Sequence, residues 1–192
     1  MFINSIIKQT KVNGPGTRYT IWFQGCSIRC PGCGNKHTWE PGIGEIWTPE
    51  QLLKDVKANS SLLGWYPPHG ISLTGGEPLD QYEEVLDFLK LAFPLYNIFL
   101  TSGYTYEVIQ KRFPEILKYI DILVDGPFIE ELLDETTAWR GSTNQTIRFL
   151  TDNAKKYENY KSEYGAEVII MNDKITMTGF GIPKSIEQGL ML

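Results

Sequence analysis

Apolar and polar residues alternate in "RYTIWFQG", which predicts a strand at about residues 18–25. Helical signals follow in "TPEQLLKDVKANSS": Thr48 suits an N-cap, Pro49 the first helical position, and Gln51 a capping box. "HGISLTGG" is a short apolar strand ending in glycines. Helical spacing returns with Val85, Leu86, Leu89 and Phe93 in "LDQYEEVLDFLKLAF". "YNIFLTSGY" predicts the next strand, "TYEVIQKRFPEILKY" a helix interrupted at Pro114, and "IDILVDGPF" a further strand. This βαβαβ rhythm predicts an α/β fold: a parallel sheet with crossover helices, open or partly closed as a barrel.

After about residue 145 the rhythm changes. "QTIRFL" reads as one more strand, and "TDNAKKYENYKSEY" as charged and helical or loose. "AEVIIMNDKITMTGF" reads as a β-hairpin turning at Asn172-Asp173. The expected organisation is a core over 1–150 and a C-terminal extension over 151–192 whose hairpin is an antiparallel addition.

Composition narrows the function classes. The chain has 192 residues, 42% of them hydrophobic, enough for one cored domain with an appendage. A net charge of -5 without a basic block argues against nucleic acid. Apolar runs are only strand-sized, and "MFINSIIKQT" lacks the parts of a signal peptide, so the cytoplasm is the expected location and no membrane is a partner. The 3 cysteines all lie in "QGCSIRCPGCGNKHTW" (24–39), which reads as metal ligation, not a disulfide framework.

Cys26, Cys30 and Cys33 are able to hold three irons of a [4Fe-4S] cluster, one thiolate per iron, with the fourth iron open. Gly25, Gly32 and Gly34 let the loop bend tightly, and Pro31 stiffens it. The same residues with His37 would also make a Cys₃His zinc site, and three buried free thiols are a further alternative. "LTGGEPL" (73–79) ends the next predicted strand. There a backbone without side chains permits close approach and a carboxylate suits an ammonium, although the same letters also suit a plain strand-to-helix turn.

Cys-x3-Cys-x2-Cys after the first core strand, followed by Gly-Gly-Glu, resembles the radical S-adenosylmethionine (SAM) family. Within it "VNGPGTR" (12–18), "GCSIRCPGCGNKHTW" (25–39), "GISLTGGEPL" (70–79), "ILVDGPF" (122–128) and "WRGSTNQTI" (139–147) resemble, in order, the glycyl-radical activases of anaerobic ribonucleotide reductases. The resemblance covers residues 10 to about 148. It implies a partial radical SAM barrel, a [4Fe-4S] cluster on the three cysteines, and S-adenosyl-L-methionine on the open iron. The implied partners are a glycyl radical enzyme, the reductase, and a flavodoxin- or ferredoxin-type electron donor. Gly75, Gly76 and Glu77 would hold the methionine end, and Gly32 and Gly34 would flank the adenine. Gly34 stands where the family usually has an aromatic residue. Thr101, Ser102 and Asp125, at strand ends, are further cofactor candidates, each with an ordinary turn role as the alternative. Arg18 and Arg140 are candidate partner contacts, with the segments around "GPGTR" and "WRGSTNQ" as the docking face. Trp139 is expected in the core or an interface, and His37 and His69 in structural roles. A radical enzyme acting on a small molecule, of the deazaguanine-synthase kind, and a non-catalytic metal-binding module are the competing functions.

Overall fold

The computed structural model describes residues 1–59, 70–134, 137, 139–160, 165–171 and 174–179. His69, the hairpin-turn residues Asn172 and Asp173, residues 161–164 and the tail from residue 180 lie outside them. The chain runs β1 (Phe2–Thr10), β2 (Arg18–Phe23), β3 (Glu45–Ile46), α1 (Pro49–Asn59), β4 (Gly70–Gly75), α2 (Tyr82–Ala92), β5 (Asn97–Ser102), α3 (Tyr106–Arg112), β6 (Ile122–Asp125), β7 (Thr146–Phe149), α4 (Asp152–Lys155), β8 (Ala166–Met171) and β9 (Lys174–Gly179).

Seven strands form one sheet in the order β3-β1-β2-β4-β5-β6-β7. The centre, β2-β4-β5-β6, is parallel, as the βαβαβ rhythm predicts. β1 joins β2, and β7 joins β6, antiparallel, so the sheet stays open with β3 and β7 at its edges. β1 escapes the period-two pattern because its pairing with β2 shifts register between Ile3 and Ser5 and again between Ile7 and Thr10. Each shift turns the following side chains over, so the sequence does not alternate.

The capping box forms at α1: the Thr48 N–H donates to Gln51 Oε1 (3.0 Å) and the Gln51 N–H to Thr48 Oγ1 (3.2 Å). The two main faces of the sheet differ. Tyr19, Ile21, Phe23, Ile71, Leu73, Ile98, Leu100 and Leu123 share a core with Leu52 and Val56 of α1, Val85, Phe88 and Leu89 of α2, and Ile109 of α3. Alternation sends the next residues to the opposite face. There Phe99, Ile122 and Val124 pack with Trp139 and Ala154.

The strand beginnings are tied by Arg18, which is fully buried. Its Nε donates to Ser72 Oγ (2.7 Å), its Nη1 to Pro15 O (3.1 Å) and Asn97 Oδ1 (3.0 Å), and its Nη2 to Ile71 O (2.8 Å) and Asn97 O (2.9 Å). Burial lowers its pKa to about 9. The expectation that Arg18 meets a partner is therefore corrected: all its nitrogens are committed inside the protein, at the end of the sheet where the parallel strands start.

β8 and β9 pair antiparallel as a separate two-stranded sheet. This hairpin hangs on the same end. The Asn13 side-chain amide donates to Thr178 Oγ1 (2.8 Å), the Lys11 N–H to Glu167 Oε1 (3.0 Å), and Ser72 Oγ to Asn13 O (2.5 Å). Among the described residues no helix is long and apolar enough to cross a membrane.

Replacing Arg18 leaves several buried acceptors without donors. Arg18→Leu is expected to cost about 3 kcal/mol or more, and Arg18→Lys to recover only part of this, because an ammonium cannot reproduce the planar fork. Urea unfolding of the metal-free protein measures it, and a loss below about 1 kcal/mol would show that these acceptors do not need the guanidinium.

Candidate metal centre

The cysteine loop leaves β2 at the strand C-terminal end and is closed at its base. The Gly25 N–H donates to Thr38 O (2.7 Å) and the Cys26 N–H to Trp39 O (3.1 Å), so residues 38–39 run back alongside 25–26. Within the loop the Cys33 N–H donates to Cys30 O (3.2 Å) and the Asn35 N–H to Cys33 Sγ (3.3 Å). All three cysteines are half-buried and form no disulfide. Burial raises the Cys26 and Cys30 thiols above the ordinary range. Metal ligation requires thiolates, so binding releases protons and is favoured at higher pH.

The Gly-Gly-Glu segment is stitched directly to this loop. The Gly76 N–H donates to Phe23 O (2.9 Å) and the Glu77 N–H to Gly25 O (2.8 Å). A Cβ on Gly76 would collide with Gly25 O, and one on Gly75, at φ +103°, would lie 2.6 Å from Phe23 N. Only glycine permits that approach. Gly34, by contrast, is exposed, and a Cβ added there would meet nothing within 4 Å.

Glu77 is 1% exposed. Its Oε1 accepts from the Leu79 N–H (2.9 Å) and Ser102 Oγ (3.0 Å), and its Oε2 from the Gly103 N–H (2.8 Å). Desolvation raises its pKa to about 7 against the pull of these donors. The expectation that this carboxylate faces an ammonium is thereby corrected: it is turned inward, tying the ends of β4 and β5 together.

The other predicted positions separate by role. Ser102 is occupied by Glu77, while Thr101 is half-buried beside it in sequence. Asp125 accepts from Arg148 Nε (2.6 Å) and the Tyr106 N–H (3.1 Å), so the structural alternative describes it. Arg140 donates to Asp134 Oδ2 (2.7 Å) and Gln145 O (3.2 Å), a brace and not an exposed contact. Trp139 is buried at φ +73°, edge-on to Phe99 and stacked on Tyr160. Gly32 lies against Glu130, whose Oε2 would be 2.5 Å from an added Cβ.

Sequence reading missed the polar residues that fix the loop. Asp80 accepts from the Ser27 N–H (2.7 Å), Ser27 Oγ (2.8 Å) and Tyr104 Oη (3.0 Å). Gln81 donates to Gln24 O (3.0 Å) and Phe2 O (3.1 Å) and accepts from the Phe2 N–H (2.6 Å). The available signal was position: Asp80 and Gln81 follow closely on the Gly-Gly-Glu-Pro turn.

The residues fit an iron–sulfur cluster. The donors are thiols alone, on one loop, which suits one thiolate per iron, and His37, the fourth ligand a Cys₃His zinc site would need, is exposed. Trp39, paired with Cys26 through the backbone, also keeps a buried indole N–H without a partner among the described residues.

Comparison with known proteins gives a consistent picture. The chain matches the family model described as a 4Fe-4S single cluster domain over residues 12–148. It is 37% identical over 148 residues to the anaerobic ribonucleoside-triphosphate reductase-activating protein of Escherichia coli (strain K12), covering 72% of this chain and 92% of that protein. The protein of the same name from Enterobacteria phage T4 is 36% identical over 152 residues, covering 77% and 93%. That from Vibrio cholerae is 37% identical over 148 residues, covering 73% and 92%. Among solved structures, QueE from Escherichia coli aligns at 23% identity with a TM-score of 0.40, over 54% of this chain and 52% of that one.

Gly76→Ala is expected to force the Gly-Gly-Glu segment off the loop, costing about 3 kcal/mol or more and lowering iron uptake on reconstitution, while Gly34→Ala leaves both within error. Thermal unfolding and iron analysis of the two variants decide it; equal behaviour would remove the close approach as a constraint.

Glu77 holds its proton more tightly in the native state than when unfolded. The stability it contributes is therefore present at low pH and falls as pH rises from about 4.5 to about 7, then stays level. Denaturant midpoints of wild-type and Glu77→Gln protein, whose amide mimics the neutral carboxyl, are expected to be similar at low pH and to separate across that window as the wild type loses stability; parallel curves would contradict the burial effect.

Proposed function

The chain belongs to the 4Fe-4S single cluster domain family and, within it, to the anaerobic ribonucleoside-triphosphate reductase-activating proteins, and we propose that its cysteine loop and Gly-Gly-Glu segment form one site that generates a glycyl radical on a partner reductase. The observation that carries this reading is the backbone stitch from Gly76 to Phe23 and from Glu77 to Gly25, which sets the Gly-Gly-Glu segment against the thiol loop.

Cys26, Cys30 and Cys33 hold three irons of the [4Fe-4S] cluster. When bound, the cluster and S-adenosyl-L-methionine would supply the one-electron chemistry that removes a hydrogen atom from a glycine of the partner. The main chain of the Gly75–Gly76 turn, held against the thiol loop, meets the methionine end, because the Glu77 carboxylate is committed to Leu79, Ser102 and Gly103. Glu77 acts as the positioning residue that keeps this turn in place. Gly32 and Gly34 flank the adenine, and the Thr101 hydroxyl at the end of β5 offers a polar contact. Ser27, held by Asp80, fixes the first turn of the loop so that the three thiols keep their spacing.

The open parallel centre with α1, α2 and α3 on one face is read as a partial radical SAM barrel over 1–150, with 151–192 as an extension. The electron comes from a flavodoxin- or ferredoxin-type protein in the cytoplasm, and neither nucleic acid nor membrane takes part. The docked reductase excludes water from the reacting atoms.

Anaerobic reconstitution is expected to load about four irons per chain in an oxygen-sensitive form. Replacing any one of the three cysteines by Ala, or stripping the iron with a chelator, is expected to reduce cofactor cleavage to background. Reduced protein mixed with S-adenosyl-L-methionine and the reductase should give a glycyl doublet in the electron paramagnetic resonance spectrum. Stoichiometric zinc that is stable in air and cannot be replaced on reconstitution would sink the reading.

A further inference from the structure

We infer that the exposed segment 129–133, "IEELL", is the surface on which the partner reductase lays the polypeptide carrying its target glycine, an apolar stretch flanked by basic residues. This rests on the function proposed above.

The segment borders the thiols directly. The Glu130 side chain fills the space left by Gly32, the residue before Cys33. Ile129, Leu132 and Leu133 are 36%, 41% and 53% exposed, three large apolar side chains within five residues. Scattered exposed leucines need no explanation, but a concentrated apolar patch beside a reactive centre marks an interaction site. The neighbouring Glu130 and Glu131 are exposed too, which gives the patch an acidic rim and selects a basic flank on the occupant.

The patch is held rigid from behind. The Thr143 N–H donates to Leu132 O (2.8 Å), the Asp134 N–H to Gly141 O (3.0 Å), and the Ile129 N–H to Ser142 Oγ (3.2 Å). Asp134, with its side chain 2% exposed, pairs with Arg140 at 2.7 Å. A rigid apolar surface loses little entropy on binding. The first turn of the thiol loop is polar instead: Ser27, Asp80 and Tyr104 are hydrogen-bonded to one another there. Hydrogen transfer requires near-contact geometry, so the target glycine must reach the thiol loop, and 129–133 is an exposed apolar segment lying against that loop at Gly32.

The test uses full-length reconstituted protein and the purified anaerobic ribonucleoside-triphosphate reductase of the same organism. Leu132→Asp/Leu133→Asp is compared with Leu91→Asp/Leu95→Asp, which changes leucines 40% and 55% exposed on α2 and the turn before β5, away from the thiols. The patch variant is expected to keep wild-type iron content and wild-type cofactor cleavage without the reductase. Its affinity for the reductase and its yield of glycyl doublet should each fall at least about tenfold. The control variant should match the wild type. Wild-type affinity and radical yield in the patch variant, or an equal loss in the control, overturns the assignment of the surface while leaving the function standing. Wild-type protein that cleaves the cofactor yet never radicalises the reductase overturns the function, and this inference with it.

Discussion

Two stretches of main chain, Gly25 and Gly76, lie closer together than any side chain allows, and the placement of the thiols depends on that approach. The loop bearing Cys26, Cys30 and Cys33 has few apolar residues and no regular structure longer than the 3-10 turn at Lys36–Thr38. Such a segment cannot hold itself in place by burial. It borrows order from the sheet through the Gly76 and Glu77 amides, and from the turn before α2 through Asp80 and Gln81. Four residues at the start of one crossover thus position a loop some fifty residues earlier in the chain.

The sheet carries a buried ionisable group at each end of its parallel strands, and the two are managed differently. Arg18 spreads its charge over neutral acceptors at the strand beginnings. Glu77 collects neutral donors at the strand ends. Neither faces an opposite charge among these partners, so each is held by hydrogen bonds that fix direction as well as energy. An apolar core alone would hold the strands together but would not set how far each one reaches. These two polar ties align the strand beginnings and ends, and the line of ends is where the thiol loop sits.

Much of this was legible in the chain. Helical spacing located α2, the Thr48–Gln51 pair located the start of α1, and the apolar runs located the parallel strands. The cysteine spacing with the later Gly-Gly-Glu pointed to one site. What was hidden has physical causes. β1 carries two register shifts that erase its alternation, and β3 has only two residues. Arg18 and Glu77 were both assigned outward roles because a charged side chain in a motif looks like a contact. A string of letters does not say that five acceptors or three donors surround it. The Ser27–Asp80–Tyr104 cluster joins residues up to seventy-seven positions apart, a pairing that periodicity cannot reveal.

The hairpin of β8 and β9 is suspended from Asn13 and Lys11, at the end of the sheet remote from the thiols. Mechanically it is a cantilever whose root is the Arg18–Ser72–Asn13 knot. A load applied to it is taken up by that knot before it can reach the cysteine loop, because the whole length of the parallel strands lies between. The molecule therefore has one end fixed by chemistry and another open to variation. A chain of this design can be lengthened, trimmed or tethered to a support through its hairpin without turning its reactive end away from whatever must dock there.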